Sequence, residues 1–415
     1  MHLVVFEDSL LTDLAPLTFS RPAFLLRCGA ITLLERMLRT VRPQRLTIWC
    51  RDVFAPLIER EIAPSLGLPV SINTSLDDSP ALLASARWAA FDLPRELPEP
   101  HVARDAFGSV VHALVRAPGL TVSDALERSD RFEVAMAGVP IAVAGAHIGH
   151  AWDLLDLGQK LIVADAMRIG ASLNPVDSTR IGIIGDRSAI RVASDAILQP
   201  GVVLDASAGP IVIESGASVG GNSVLEGPCF IGRGSTILPL TLVRAHTILG
   251  PVCKVGGEIG STTMLGYSNK QHHGFIGDSY LGEWVNLGAG TVTGNLKNTL
   301  GEVRVQIGAK SLKTGRQFLG ALIGDHARSA TGTLLPTGCY IGYACHVSGP
   351  IRPPRFCRSG TMLTDDGPPV PLDRAKAQQI AGAVMERRHQ VFQPYHTAIM
   401  DHAFELAERI ESLPL

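Results

Sequence analysis

From about residue 180 onward, apolar positions return at every sixth residue. Stepping by six from Ile184 gives Ile190, Ala196 and Val202; after a short slip, stepping from Ile213 gives Val219, Leu225, Ile231, Ile237, Val243, Leu249 and Val255. A third run, Ile323, Ser329, Leu335, Ile341 and Val347, keeps the phase with one polar member. A small residue often follows the apolar one, as in Val219-Gly220, Ile231-Gly232, Ile276-Gly277 and Ile341-Gly342. An α-helix repeats about every 3.6 residues and a half-exposed sheet about every two, so neither explains runs of this length. A period of six is the signature of a parallel β-helix, where one aliphatic side chain per flat face points inward and a small residue permits the corner. Three faces make a coil, and coils stack at ~4.8 Å by parallel strand pairing. The pattern therefore predicts a left-handed parallel β-helix of hexapeptide repeats.

The chain before residue 180 has a different rhythm. Short apolar runs, Leu3–Phe6 and Leu46–Cys50, alternate with helix-like segments, Ile31–Thr40 and Val53–Glu61, the order expected of βα units and a largely parallel, Rossmann-like sheet. Trp152-Asp153-Leu154-Leu155 starts a further helix expected to pack against the first coil. After Val347, the segments 349–355 and 365–369 are rich in Pro and Gly and can continue neither a strand ladder nor a helix. Ala-rich stretches with helical spacing, from Leu372 to about His389 and from His396 to Ser412, predict two amphipathic helices. The expected division is an α/β domain over 1–165, a β-helix over 166–350, and a connector with C-terminal helices over 351–415.

Composition narrows the function. Hydrophobic residues make up 46% and charged residues 18%, which is globular, and a formal net charge of −2 gives no footprint for nucleic acid or an anionic membrane. Acidic residues interrupt the N-terminus before any signal-like apolar run, and no stretch approaches the ~20 apolar residues of a membrane span, so a cytoplasmic location is expected. Seven cysteines without a Cys-x-x-Cys pair argue against a disulfide framework or a structural zinc site. The expected partners are small molecules and further copies of the chain.

The six-residue pattern breaks around Leu265–Phe275 and again around Val292–Ala321. Solenoids eject loops at corners, and such loops commonly carry function. The first break holds Ser268-Asn269-Lys270-Gln271-His272-His273-Gly274, the most polar stretch of the repeat region. An imidazole titrating near neutrality suits it to take the proton an amine loses when it attacks a thioester. Gly-rich turns such as Leu287-Gly288-Ala289-Gly290 present backbone N–H groups of the kind a tetrahedral oxyanion requires. His272 is the candidate base and His273 the fallback, while His246, alone in a regular rung, reads as structural.

At these motifs the chain resembles the GlmU family, the bifunctional N-acetylglucosamine-1-phosphate uridyltransferase/glucosamine-1-phosphate acetyltransferases, and most closely its shorter sugar nucleotidyltransferase branch. The resemblance runs from Asp13-Leu14-Ala15-Pro16-Leu17-Thr18-Phe19-Ser20-Arg21-Pro22 and Leu26-Arg27-Cys28-Gly29 through Trp152-Asp153-Leu154. It continues in the repeats, in Gly266-Tyr267-Ser268-Asn269-Lys270 through Asn295-Leu296-Lys297-Asn298. It implies an acetyl-CoA-dependent N-acetyltransferase between the subunits of a homotrimer, acting on a sugar phosphate. It puts His272 on the catalytic histidine, Asn286 on a sugar-phosphate contact, Asn295 near the acetyl group and Arg244 on a phosphate contact, with Lys270 and His273 as further substrate-binding candidates. Phe275 and Gly260 stand where the bifunctional enzymes have a tyrosine and a lysine, which leaves the acceptor sugar open.

For the first domain the resemblance implies sugar-1-phosphate nucleotidyl transfer from a nucleoside triphosphate with Mg2+. The Gly-rich phosphate loop ending in Arg-Met and the later Pro-Lys of such enzymes are missing here. Arg21 and Arg27 are the available phosphate ligands, and Asp8 the available magnesium ligand. Two other readings stay open: acyl transfer alone behind a degenerate first domain, and a non-catalytic β-helix scaffold or a trimeric histidine metal site using His272 and His273.

Overall fold

A computed structural model describes residues 1–415 apart from 92, 94–96, 171–172, 176–180, 350–351, 366 and 413–415. Arg180, and Pro350, Ile351 and Asp366 of the expected connectors, lie outside the described residues. The chain forms two compact units. The first comprises Met1–Leu26, Ile31–His150 and Gln393–His402, the second Arg27–Ala30, Ala151–Phe392 and Ala403–Leu415. Among the described residues no helix is long and apolar enough to cross a membrane.

The first unit is built on a seven-stranded sheet. Its spatial order is Val70–Ile72, Arg45–Trp49, His2–Phe6, Ala81–Ser85, Val110–Val115, His101–Arg104, Val139–Ile141. Only Val110–Val115 runs against the others, so the sheet is mixed. His2–Phe6 and Ala81–Ser85 are buried along their whole length, as the apolar runs require. The helix expected over Ile31–Thr40 spans Leu33–Val41, started by a capping box between Thr32 and Glu35. The one expected over Val53–Glu61 differs: it breaks into short 3-10, α and π turns between Asp52 and Ser65, with Pro56 and Pro64 each at the start of a new turn. Strand order changes direction at His2–Phe6, whose neighbours are Arg45–Trp49 and Ala81–Ser85. The carboxyl ends of such strands are where open α/β sheets place their ligands.

The second unit is a left-handed parallel β-helix. Its faces are defined by three ladders, which we call the first, second and third after Gly182–Gly185, Ile190–Val192 and Ile197–Leu198, their opening strands. On the second face Ile213, Ile231, Leu249, Met264, Leu281, Ile323, Ile341 and Cys357 stack in register and are all buried, the aliphatic column the period of six demands. One phase assignment is corrected. Ile183, not Ile184, faces inward, paired with buried Leu204, while Ile184 lies opposite Asp205 and is 50% exposed. Ser329, the polar member of the third run, does take an inward position beside Val347; its hydroxyl accepts from Gly288 N and pairs with Thr291 Oγ1.

The corners use residues in the left-handed backbone region, and one column of them is aromatic: Tyr267, Trp284 and His326 all have positive φ. Tyr267 stacks on Trp284 at 4.4 Å and Trp284 on His326 at 6.4 Å, so contacts between rings offset the strain of non-glycine corners. The helix Asp153–Gly170 covers the second face, with Ile162 and Ala166 packed on the outward side chains Val212, Phe230 and Ile248. The coil is shortened between Val255 and Met264, ahead of the expected first break, across which Met264, Lys270 and Ile276 keep the six-residue step; the second break ejects the antiparallel hairpin Arg304–Ile307/Lys310–Lys313 before the ladder resumes at Ala321–Ile323. The C-terminal helices span Arg374–Glu386 and Pro394–Glu411. Within the second unit Glu411 is a buried plug, accepting from Tyr340 Oη and from Ser359 N and Oγ. All seven cysteines are free and buried.

Candidate active site

The polar loop lies at the corner that follows the third face. Asn269–Lys270 is the strand leading into it, and Lys270 stands in register with the inward Val255. A lysine at an aliphatic position must find oxygen: its Nζ donates to Gly256 O at 2.8 Å and to His272 O at 2.5 Å. Burial pulls its pKa down to about 8. Lys270 thus reaches the site through the backbone of His272 and fixes that residue's carbonyl. This role is not legible in the residue order, because hexapeptide spacing cannot say which oxygens lie near position 270.

His272 and His273 are exposed. The His273 ring lies over Gly290, where an added Cβ would sit 3.3 Å from its Nε2, and Gly290 N donates to His273 O. The turn expected to supply oxyanion donors is largely committed elsewhere. Leu287 N bonds Asn269 O, Gly288 N bonds Ser329 Oγ and Gly290 N bonds His273 O, because the turn is stitched into the ladder. Among the described residues Ala289 N in that turn, and the N–H groups of His272 and His273, have no acceptor. Asn286 sits on the same outward ladder as Asn269, paired with it and with Arg328, and Asn269 Nδ2 donates to Asn286 Oδ1 at 3.3 Å.

Arg244 and Asn295 form a second group, around the first face. Arg244 pairs with Glu258 at 3.1 Å with both side chains partly exposed. Gly260 lies flush under it: a Cβ there would meet the Arg244 Cβ at 3.0 Å, so the arginine stem occupies the space over the position where the resemblance expects a lysine. Asn295 donates to Asp278 Oδ2 at 2.8 Å, and burial raises the Asp278 pKa against that bond. The Phe275 ring folds over Gly277, 2.4 Å from where a Cβ would stand, and Asn295 Nδ2 is 3.0 Å from the same point. The structure therefore gathers Lys270, His272, His273 and Asn286 at one corner, and Arg244 and Asn295 with Phe275 on another face. His246, read as structural, is a corner residue with φ of 62°.

In the first unit, the strand ends at the switch point carry paired charges. Glu7 is fully buried and binds Arg51 Nη2 at 3.0 Å, and it also accepts from Arg51 Nε and Ala23 N. Asp8 caps the turn Ser9–Leu14 and binds Arg87 at 3.4 Å, both side chains nearly buried. Arg21 is buried, and its carbonyl accepts from Arg51 Nη2 at 2.9 Å. Next to Asp8 and Arg87, His147 bonds Asp105 at 2.7 Å and Ser85 Oγ at 3.1 Å; burial, then the Arg87 charge, lowers the His147 pKa. Arg27 belongs to the second unit, where its guanidinium binds Ala30 O and its carbonyl accepts from Tyr280 Oη. Glu7, Arg51, Arg87 and His147 were not singled out from sequence. Their signal was position, each at or just beyond a strand end beside the switch.

This is a hexapeptide-type β-helix with a polar histidine corner, in a chain that also carries a mixed α/β unit. Residues 3–172 match the family model of sugar nucleotidyl transferases. A bifunctional sugar-1-phosphate nucleotidylyltransferase/acetyltransferase of Sulfurisphaera tokodaii is 31% identical over 136 residues, 32% of this chain and 34% of that one. Bifunctional protein GlmU of Jannaschia sp. is 32% identical over 148 residues, 35% of this chain and 32% of that one. GlmU of Corynebacterium glutamicum is 27% identical over 266 residues, 60% of this chain and 46% of that one. The chain is thus similar to the GlmU-type bifunctional proteins, and it spans about a third to a half of the length of these relatives.

Proposed function

We propose that the β-helix transfers an acetyl group from acetyl-CoA to the amine of an amino-sugar phosphate, with His272 as general base. The observation that carries this is the corner itself: an exposed imidazole on a loop whose carbonyl is clamped by a buried lysine, beside the Asn269–Asn286 ladder. The amine attacks the thioester carbonyl, His272 takes its proton, and the tetrahedral intermediate expels the CoA thiolate. Backbone N–H groups at His272, His273 and Ala289 are the donors available to the oxyanion. Asn286 contacts the acceptor; Arg244 and Asn295, on another face, serve the neighbouring subunit's corner. That division supports a homotrimer, in which faces of adjacent prisms meet. The relative named as a bifunctional sugar-1-phosphate nucleotidylyltransferase/acetyltransferase supports acetyl transfer and a sugar-phosphate substrate class.

A second reading, sugar-1-phosphate nucleotidyl transfer in the first unit, is favoured by the family match over 3–172. The carboxylates do not fit the magnesium ion such a reaction uses. Asp8 and Glu7 are committed to Arg87 and Arg51. The test of both readings is a two-arm assay: acetyl-CoA with glucosamine 1-phosphate, and UTP with N-acetylglucosamine 1-phosphate. CoA release in the first arm supports the β-helix reading, and its absence across a panel of amino-sugar phosphates refutes it. Pyrophosphate release in the second arm supports nucleotidyl transfer.

A further inference from the structure

In the first unit the strand Val110–Val115 runs out into the turn 116–120, and this turn and the helix Asp130–Ala135 line a cavity of about 670 Å³. Small-molecule sites commonly enclose ~300–1,000 Å³. Val115 stands opposite Ala81, the first residue of Ala81–Ser85, so the cavity lies at the end of the strands away from the switch-point residues Asp8 and Arg87. One half of it is apolar, formed by the buried Val115 and Leu120 with Ala135. Val134 completes that wall. On this helix Phe132 faces the core, and a period of about 3.6 residues puts Val134 on the opposite side, where it is 75% exposed. A hydrocarbon chain lying in the cavity would cover it.

The other half is charged, with Arg116, Arg131 and Glu99 at the rim. Glu99 is taken by Arg116 Nε at 2.6 Å. Arg131 is held more loosely. Its Nη2 donates to Gly119 O at 3.0 Å, while Asp124 stands 3.7 Å from Nη1 with its oxygens already accepting from Thr121 N, Thr121 Oγ1 and Ser129 Oγ. Guanidinium N–H donors of Arg131 therefore remain for a ligand. Among the described residues the backbone N–H groups of Arg116 and Ala117, which line the same cavity, have no acceptor. Two cations against one acid leave the rim a single positive charge in excess. That balance matches one carboxylate, which a guanidinium binds with paired hydrogen bonds, and falls short of a phosphate dianion. We propose that this cavity binds an amphipathic monocarboxylate, its head on Arg131 and the Arg116 and Ala117 amides, its hydrocarbon tail on Leu120, Val134 and Ala135.

The site goes beyond the acetyl-transfer reading and does not rest on it. Calorimetry of the full chain with hexanoate and octanoate below their micelle concentrations, beside octanamide and orthophosphate, tests it. Affinity is expected to rise about tenfold from hexanoate to octanoate, since each buried methylene gives a roughly fourfold gain. Octanamide keeps the tail and loses the charge, and is expected to bind about tenfold more weakly than octanoate. Arg131→Ala removes a largely exposed side chain; it is expected to weaken octanoate about tenfold while leaving octanamide unchanged, and Arg131→Lys to weaken octanoate by less. Val134→Ser, at an exposed position, is expected to weaken octanoate and octanamide by the same factor, about fivefold. Lys310→Ala, on the exposed hairpin of the other unit, is expected to change nothing. No saturable octanoate binding at millimolar concentration, equal affinity for octanamide, or an unchanged Arg131→Ala overturns the proposal. Displacement of octanoate by an equal concentration of orthophosphate overturns the choice of a carboxylate. Only binding is read, so the outcome is independent of His272 and of acetyl transfer.

Discussion

In the first unit, acids at the sheet's switch point are satisfied by the chain's own arginines: Glu7 by Arg51 and Asp8 by Arg87, all nearly buried. Around the β-helix's polar corner the reverse holds, with His272 and His273 exposed and, among the described residues, Arg328, Arg387 and Lys254 without acids. Internal ion pairs hold a crevice together but leave its charges unavailable to a ligand; unspent charges cost stability and are kept where something binds. Residue type alone does not separate the two cases, since arginines and acids occur in both. The partner does.

The comparison is broken most strongly at the histidine corner. His272→Ala is expected to lower acetyl transfer by ~10²–10⁴-fold with acetyl-CoA affinity retained, measured as kcat against Kd for the donor. An undiminished kcat moves the role to His273. Next comes the buried pair of the first unit. Glu7→Ala leaves Arg51 enclosed without counter-charge and is expected to cost ~3–5 kcal/mol in urea unfolding of that unit, while the acetyl transfer proposed for the other unit is expected to persist.

Truncation sharpens the contrast further. A fragment from Ala151 keeps the helix Asp153–Gly170 over Val212, Phe230 and Ile248, whereas a cut near residue 175 strips that apolar cover. The longer fragment is expected to stay unaggregated by light scattering and the shorter to associate.

Lys270 gives a smaller, pH-dependent effect. Its folded pKa is about 8 against an ordinary value of 10.5, so between those values the unfolded chain holds the extra proton and stability rises with pH. Below about pH 8 both states are charged, and the burial cost is fully present. Lys270→Met is expected to remove that rise, read as Tm of variant minus wild type from pH 7 to pH 10. The smallest expected stability change is at Arg244. Its pair with Glu258 is half exposed, so Arg244→Ala should alter stability by no more than ~1 kcal/mol. A rise of about tenfold in KM for the acceptor would then report a ligand contact and not a structural one.

The β-helix was legible because its core is a column: one inward residue per face repeats at fixed spacing, and even the misplaced start at Ile184 cost a single position. The α/β sheet was legible in its strands but not in its charge pairs, since Glu7 and Arg51 are joined by a fold that brings strand ends together across long sequence separation. The histidine loop could be found as a polar break in an apolar rhythm. Lys270 could not be assigned its role, because an inward lysine is defined by the carbonyls it meets. Helical spacing over Leu372 to about His389 marks a helix there but says nothing of the Asn269 carboxamide that Arg388 meets at its end.

That the β-helix corner performs acetyl transfer through His272 is tested most directly by kcat and kcat/KM for glucosamine 1-phosphate, measured as CoA release in wild type and His272→Ala, beside the Kd of each for acetyl-CoA. The variant is expected to be slowed by at least about a hundredfold in kcat with its acetyl-CoA affinity retained. A variant that turns over at the wild-type rate is the contradicting result.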